Sequence, residues 1–234
     1  MRIPMDNDFN LDDLMKNDAK KASPLRSAGA GRDGFTLIEL IIAMALGLIV
    51  LGAMYSVFTI QNKHFSSQEQ IVEMQQNARM AIEIISREIR MAGYNPKQTE
   101  GSFNFLLSTE DDDRVTNQNC IAFTYDYDSD GTEDSNDNEQ VAFLVDGGVL
   151  KRFSTGAIEW QPLVENIEAL NFAYTLSNGD NVDNPTEDQL QDIVKVKISV
   201  TAKAAKEDPG YTDPTNNDHY RRYTLTATVT PRNL

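Results

Sequence analysis

With 234 residues, 40% hydrophobic and 24% charged, the chain can build one domain with a substantial core or two small ones. Its formal charge of −15 opposes broad, sequence-independent contact with nucleic-acid phosphates, although a local basic patch is compatible with that figure. The single cysteine, Cys120, excludes an intrachain disulfide and a thiolate metal cluster; in "CIAFTY" it reads as a small buried residue rather than a nucleophile.

The first informative stretch is "GRDGFTLIELIIAMALGLIVLGAMYSVFTIQNK", residues 31–63. No charged residue occurs from Leu40 to Asn62. That run of about 23 residues would extend about 35 Å as a helix, against a hydrocarbon layer of about 30 Å. A buried core helix and a cleaved secretory signal are the alternatives. The run is apolar all round, which favours a membrane span over the first. It is too long and starts too late for the second. Lys20, Lys21, Arg26 and Arg32 precede it, so the leader is expected to stay cytoplasmic and the C-terminal part to be exported. Glu39 is the exception in this segment. A carboxylate there either sits wet at the headgroup level or needs a partner.

"G-F-T-L-I-E-L", Gly34 to Leu40, resembles the cleavage and methylation motif of type IV prepilins. The resemblance implies a cytoplasmic leader over 1–34, cut by a prepilin peptidase between Gly34 and Phe35, with methylation of the new amine on Phe35. Asp33 stands where a basic residue is common, with Arg32 beside it, and Met5 and Met15 are alternative starts to the long leader. The family assigns Glu39 an assembly role, in which it offsets the terminal amine of a neighbouring subunit. The spacing supports such chemistry, because Phe35 and Glu39 lie four residues apart and an opposite charge relieves the cost of each.

The sequence then predicts a transmembrane and assembly helix over 35–62, continued by an amphipathic half over 63–95. Phe65, Val72, Gln75, Ala78, Ile82, Ile85, Ile89 and Ala92 define the expected buried stripe. Gly93 is the expected C-cap, followed by Pro96 as a stop. A helix from Phe35 to Ala92 would be about 85 Å long if continuous. A coiled coil is the weaker reading, because no strict heptad persists.

From residue 96 to 234 the pattern changes to period two. Strands are expected at 120–126, 139–145, 149–155, 167–176, 192–202 and 221–230, with a hairpin turn in "VDGGVL" (145–150). The expected architecture is α+β: the type IV pilin fold, in which a long N-terminal helix packs on one antiparallel sheet with acidic loops. "SREIRMAGYNP", "PLVENIEALNFAYTL", "VKVKISV" and "TATVTPRNL" resemble PilW-type minor pilins, and less closely the larger minor pseudopilins of type II secretion.

"DYDSDGTEDSNDNE" (126–139) carries the D-x-D-x-D-G opening of a calcium loop. Asp126, Asp128 and Asp130 are the first ligands, Thr132 offers a backbone carbonyl, Asp134 takes the ninth position and Asp137 the twelfth, with Glu139 as a fallback. The other reading is a solvated acidic loop. The acidic stretches 110–114, 180–192 and 213–219 lack the glycine and the regular spacing, and read as surface loops. His64 and His219 have neither metal-ligand spacing nor a nucleophile partner, and read as exposed polar residues. Trp160 is expected in the core or on a sheet surface. No catalytic constellation is legible, so an enzyme is not expected.

The resemblance implies a minor pilin in a tip complex that primes pilus assembly, with prepilin peptidase, other minor pilins and the major pilin as partners and the inner membrane, then the pilus, as location. A type II secretion pseudopilin and a membrane-anchored calcium module that does not polymerise are the alternatives. A membrane-tethered hydrolase is a further one, but lacks a legible constellation.

Overall fold

The computed structural model describes residues 34–98, 103–107, 115–132, 138–157 and 159–234. The chain divides into two compact units, Met1–Ser56 and Val57–Leu234. Helix α1 spans Leu37–Ile89, slightly inside the expected Phe35–Ala92. Thr36 starts it: its hydroxyl accepts from Glu39 N at 3.4 Å and its carbonyl from Leu40 N at 3.2 Å, so two of the first-turn amides are satisfied. In the first unit every described residue of α1 is exposed.

In the second unit, α1 buries Met74, Ala78, Ala81, Ile82, Ile85 and Ile89, a stripe at intervals of three and four. Phe65 and Val72, expected in that stripe, are 69% and 51% exposed. They lie on a helix face that the head does not cover, and Met74 and Ala81 take part in the packing instead. The helix ends at Ile89 and turns through Gly93, whose φ of +73° an L side chain rarely adopts. A Cβ at Gly93 would fall 2.2 Å from Leu234 Cδ2, a contact that the flexible, exposed leucine side chain can relieve, so it is the positive φ that calls for glycine here.

Two antiparallel sheets stand where one was expected. The first is a meander of β1 (Cys120–Thr124), β2 (Gln140–Asp146), β3 (Val149–Ser154) and β4 (Gln161–Glu165). The second has the order β6-β5-β7-β8, with β5 at Ile167–Leu176, β6 at Asn181–Val182, β7 at Ile193–Lys203 and β8 at Arg222–Val229. A short helix, α2 (Glu187–Leu190), separates β6 from β7. Only Asn166 separates β4 from β5, and its φ of +61° redirects the chain from one sheet to the other. Period-two alternation locates strands but carries no information about such a switch.

The expected hairpin turn is present. Asp146 pairs with Val149 around Gly147 (φ +59°) and Gly148 (φ +80°), the signature of a type I′ turn. Inward residues of both sheets, including Ile121, Phe123, Phe143, Leu150, Phe172 and Ile198, join the α1 stripe in one core. The sheets are tied where Phe172 N donates to Gln118 O at 2.7 Å and the Tyr174 hydroxyl to Asn117 O at 2.9 Å. Burial of Tyr174 pushes its phenol well above its ordinary value, which keeps it a neutral donor. Cys120 is buried, as its surroundings predict, and Trp160 packs its ring 5.7 Å from Phe153.

Candidate functional site

Two places carry chemistry. The first is the start of α1. Gly34 and Phe35 are exposed and lie ahead of the first helical turn, and Glu39 lies within that turn. A carboxylate there is favoured by the positive end of the helix dipole. Beyond it, large apolar side chains such as Leu40, Leu46, Ile49, Leu51 and Phe58 remain more than half exposed. α1 is the one helix among the described residues that is long and apolar enough to cross a membrane. So much exposed apolar surface on a helix requires lipid or neighbouring helices.

The second is the turn between β1 and β2. Asp126 follows β1 and is fully buried; its amide donates to Tyr94 O at 2.8 Å. Its two carboxylate oxygens accept from the amides of Asp130 and Gly131, each at 3.1 Å. Asp128 Oδ1 also accepts from Asp130 N, at 2.9 Å. Ser129 (φ +64°) and Gly131 (φ +84°) permit this tight winding. Asp130 Oδ1 accepts from the Thr132 hydroxyl and amide, both at 2.7 Å, and these bonds hold the Asp130 carboxyl below its ordinary value.

One carboxylate oxygen from each of Asp126, Asp128, Asp130 and Glu139 lies within 4.8 Å of the other three. Glu139, the fallback in the sequence reading, is fully buried and receives Tyr127 N at 3.1 Å. The Thr132 hydroxyl and amide turn toward Asp130. Asp134 and Asp137 lie outside the described residues. Lys97 Nζ reaches the Asp130 carbonyl at 2.9 Å. Four carboxylate oxygens thus converge from opposite ends of the turn, against the six to eight oxygen ligands that a calcium ion takes.

His64 and His219 are exposed, and His219 Nδ1 lies 2.6 Å from Tyr211 O in a loop. A feature that sequence reasoning missed is the polar centre around Arg222. Its guanidinium holds Glu168 on β5 and Asp218 in the loop before β8, with hydrogen bonds of 2.9 Å and 2.7 Å, and lies 3.5 Å from Asp213. Single arginines in strands give no sequence signal for such convergence, because its partners are far apart along the chain.

A family model described as prepilin peptidase-dependent protein B matches residues 67–230. The chain belongs to that family. A second model, the prokaryotic N-terminal methylation motif, matches residues 30–55, the region of Gly34, Phe35 and Glu39. Both place the prepilin peptidase-dependent protein among type IV pilin-like chains, as its N-terminal sequence suggests. A curated relative, the pilin-like protein PilA3 of Thermus thermophilus, is 23% identical over 194 residues, which cover 76% of this chain and 82% of the relative. A solved type IV-like pilin from Thermus thermophilus is 15% identical with a TM-score of 0.42, over 70% of this chain and 97% of that one.

Proposed function

We propose that this pilin-like protein is a minor pilin of the PilW type, cleaved between Gly34 and Phe35, methylated at Phe35 and assembled into a type IV pilus through the first half of α1. The observation that carries the reading is the exposed apolar run of α1 with a single acid, Glu39, one turn from the cleavage position. The amine released at Phe35 gives Glu39 an opposite charge within reach of one helical turn, or on a neighbouring copy. A tip position in a complex that primes assembly, with other minor pilins and the major pilin as neighbours, extends this reading, as does insertion in the inner membrane before assembly.

N-terminal analysis of the protein recovered from cells tests it. The expected product begins with N-methylphenylalanine at position 35; recovery of a chain that still carries residues 1–34 overturns it.

Calcium in the β1–β2 turn is a second part of the proposal. Asp126 and Glu139 are supported by burial and convergence, with Asp128 and Asp130 completing the oxygen set. The ion would be structural, tying the start of β2 to the end of β1. Calorimetric titration of the chelator-treated protein should give saturable heat with calcium that is abolished in Asp126→Asn; no heat in the unaltered protein ends the proposal.

A further inference from the structure

The two sheets have four edges, and the fold treats them unequally. Along the outside of β1, Leu106 N donates to Ala122 O and Thr124 N to Asn104 O, both at 2.8 Å, so residues 103–107 cover that edge. β4 is five residues long, contains Pro162 and pairs through a register shift at Leu150/Lys151. β6 is two residues long. Short strands, proline and bulges blunt an edge against pairing with another chain.

β8 has none of these devices. It runs eight residues in unbroken register with β7, and among the described residues no hydrogen bond reaches its other side. Its ladder parity follows from Ala204 N, which donates to Arg221 O at 2.9 Å. Antiparallel strands alternate, so Tyr223, Leu225, Ala227 and Val229 bond to β7, while Thr224, Thr226 and Thr228 point their amides and carbonyls outward. The hydroxyl pairs Ser199–Thr226 and Thr201–Thr224, both 2.9 Å, fall at the closer, non-bonded positions as this parity requires.

Charge narrows the occupant. From Tyr223 to Thr230 there is no aspartate, glutamate, lysine or arginine, and Arg222 is already matched by Glu168 and Asp218. On a chain of net charge −15, this edge is a place where two copies can meet without opposing carboxylates. The edge is also self-complementary. With Thr226 opposite Thr226, Thr224 faces Thr228 and Leu225 faces Ala227, so outward backbone groups meet and threonine pairs with threonine.

We infer that the open edge of β8 binds a second copy of this chain, the two β8 strands pairing antiparallel about Thr226 in an isologous contact. The inference rests on the head alone and goes beyond the assembly chemistry of α1.

Oxidative cross-linking of full-length Thr226→Cys in membranes tests it. Opposed residues in a bonded antiparallel pair lie about 5.5 Å apart at Cα, within disulfide reach. Cys120 is buried and serves as the unaltered background. The expected product is a reducible species of twice the chain mass, absent for Asn171→Cys in the interior strand β5. Adding Thr224→Pro removes an outward amide without touching the β7 ladder and should lower the yield about tenfold; Thr224→Lys, which keeps the backbone, should lower it in the same direction. Absence of the dimer, an equal yield from Asn171→Cys, insensitivity to both Thr224 variants, or capture of a different protein by the introduced thiol overturns the inference.

Discussion

At the scale of single residues, Glu39 and Asp126 show two ways to keep a carboxylate where charge is costly. Asp126 is enclosed and satisfied by the amides of Asp130 and Gly131. Glu39 sits in an exposed helical turn where its amide is capped by Thr36, while its carboxylate points to no cation of the described residues. On the proposed reading, the amine that cleavage would make at Phe35 is the partner of the Glu39 carboxylate. Glu39→Ala should leave cleavage after Gly34 intact, because the peptide bond and its flanking Phe35 are unchanged. It should reduce the share of the protein found in sheared filaments by at least about tenfold, the effect of a lost pairing of about 1.4 kcal/mol. Immunoblots of membrane and filament fractions check this. Equal filament shares for the two proteins would remove Glu39 from assembly.

At the scale of elements, the sequence was most legible where a pattern is local. β5 appears at 167–176 as expected, because its alternation of buried and half-exposed positions is complete within ten residues. The spaced aspartates and Gly131 revealed the tight turn after β1, since loop winding is also local. β4 was missed: "QPLVE" has a proline and too few β-branched residues to stand out, and its pairing with β3 supplies the missing preference. The α1 stripe was legible in its second part and misplaced in its first, because helix periodicity cannot tell which apolar residues the head reaches. That difference has a measurable size. Ile85 is fully buried, and Ile85→Ala should cost about 2–5 kcal/mol of unfolding free energy. Phe65→Ala should stay within about 0.5 kcal/mol, as exposed positions do. Denaturant titration of the two variants checks it, and similar losses would place Phe65 in the core after all.

The loop before β8 is an element whose stability depends on pH. Hydrogen bonds from Arg222 hold Asp218 at about 2 and keep Glu168 below its ordinary value. Both folded-state values lie below those of the unfolded chain, so the stabilisation is complete above the ordinary carboxylate range. It is lost as pH falls through the folded values. Arg222→Gln removes the common partner. The gap in melting temperature between the unaltered protein and this variant should be widest near neutrality and should close between pH of about 4.5 and about 2. A gap independent of pH would mean that Arg222 stabilises through packing alone.

At the scale of the whole molecule, burial is divided as sharply as hydropathy. Every buried apolar side chain among the described residues lies between Met74 and Pro231, inside the unit Val57–Leu234. The described part of the other unit, Gly34–Ser56, contributes apolar surface and no buried side chain. The α1 stripe from Met74 to Ile89, both sheets and the Arg222 centre all lie within Val57–Leu234, so removing the first 56 residues takes none of them away. Removal also takes away the surface that demands lipid. A chain beginning at Val57 should accordingly be soluble without detergent, melt cooperatively and retain the Tyr174 environment as a protected phenol. The full chain should require detergent at the same concentration. Thermal unfolding followed by near-ultraviolet circular dichroism reads both properties. A fragment that stays soluble but gives no near-ultraviolet signal would show that the head needs the first part of α1 to fold.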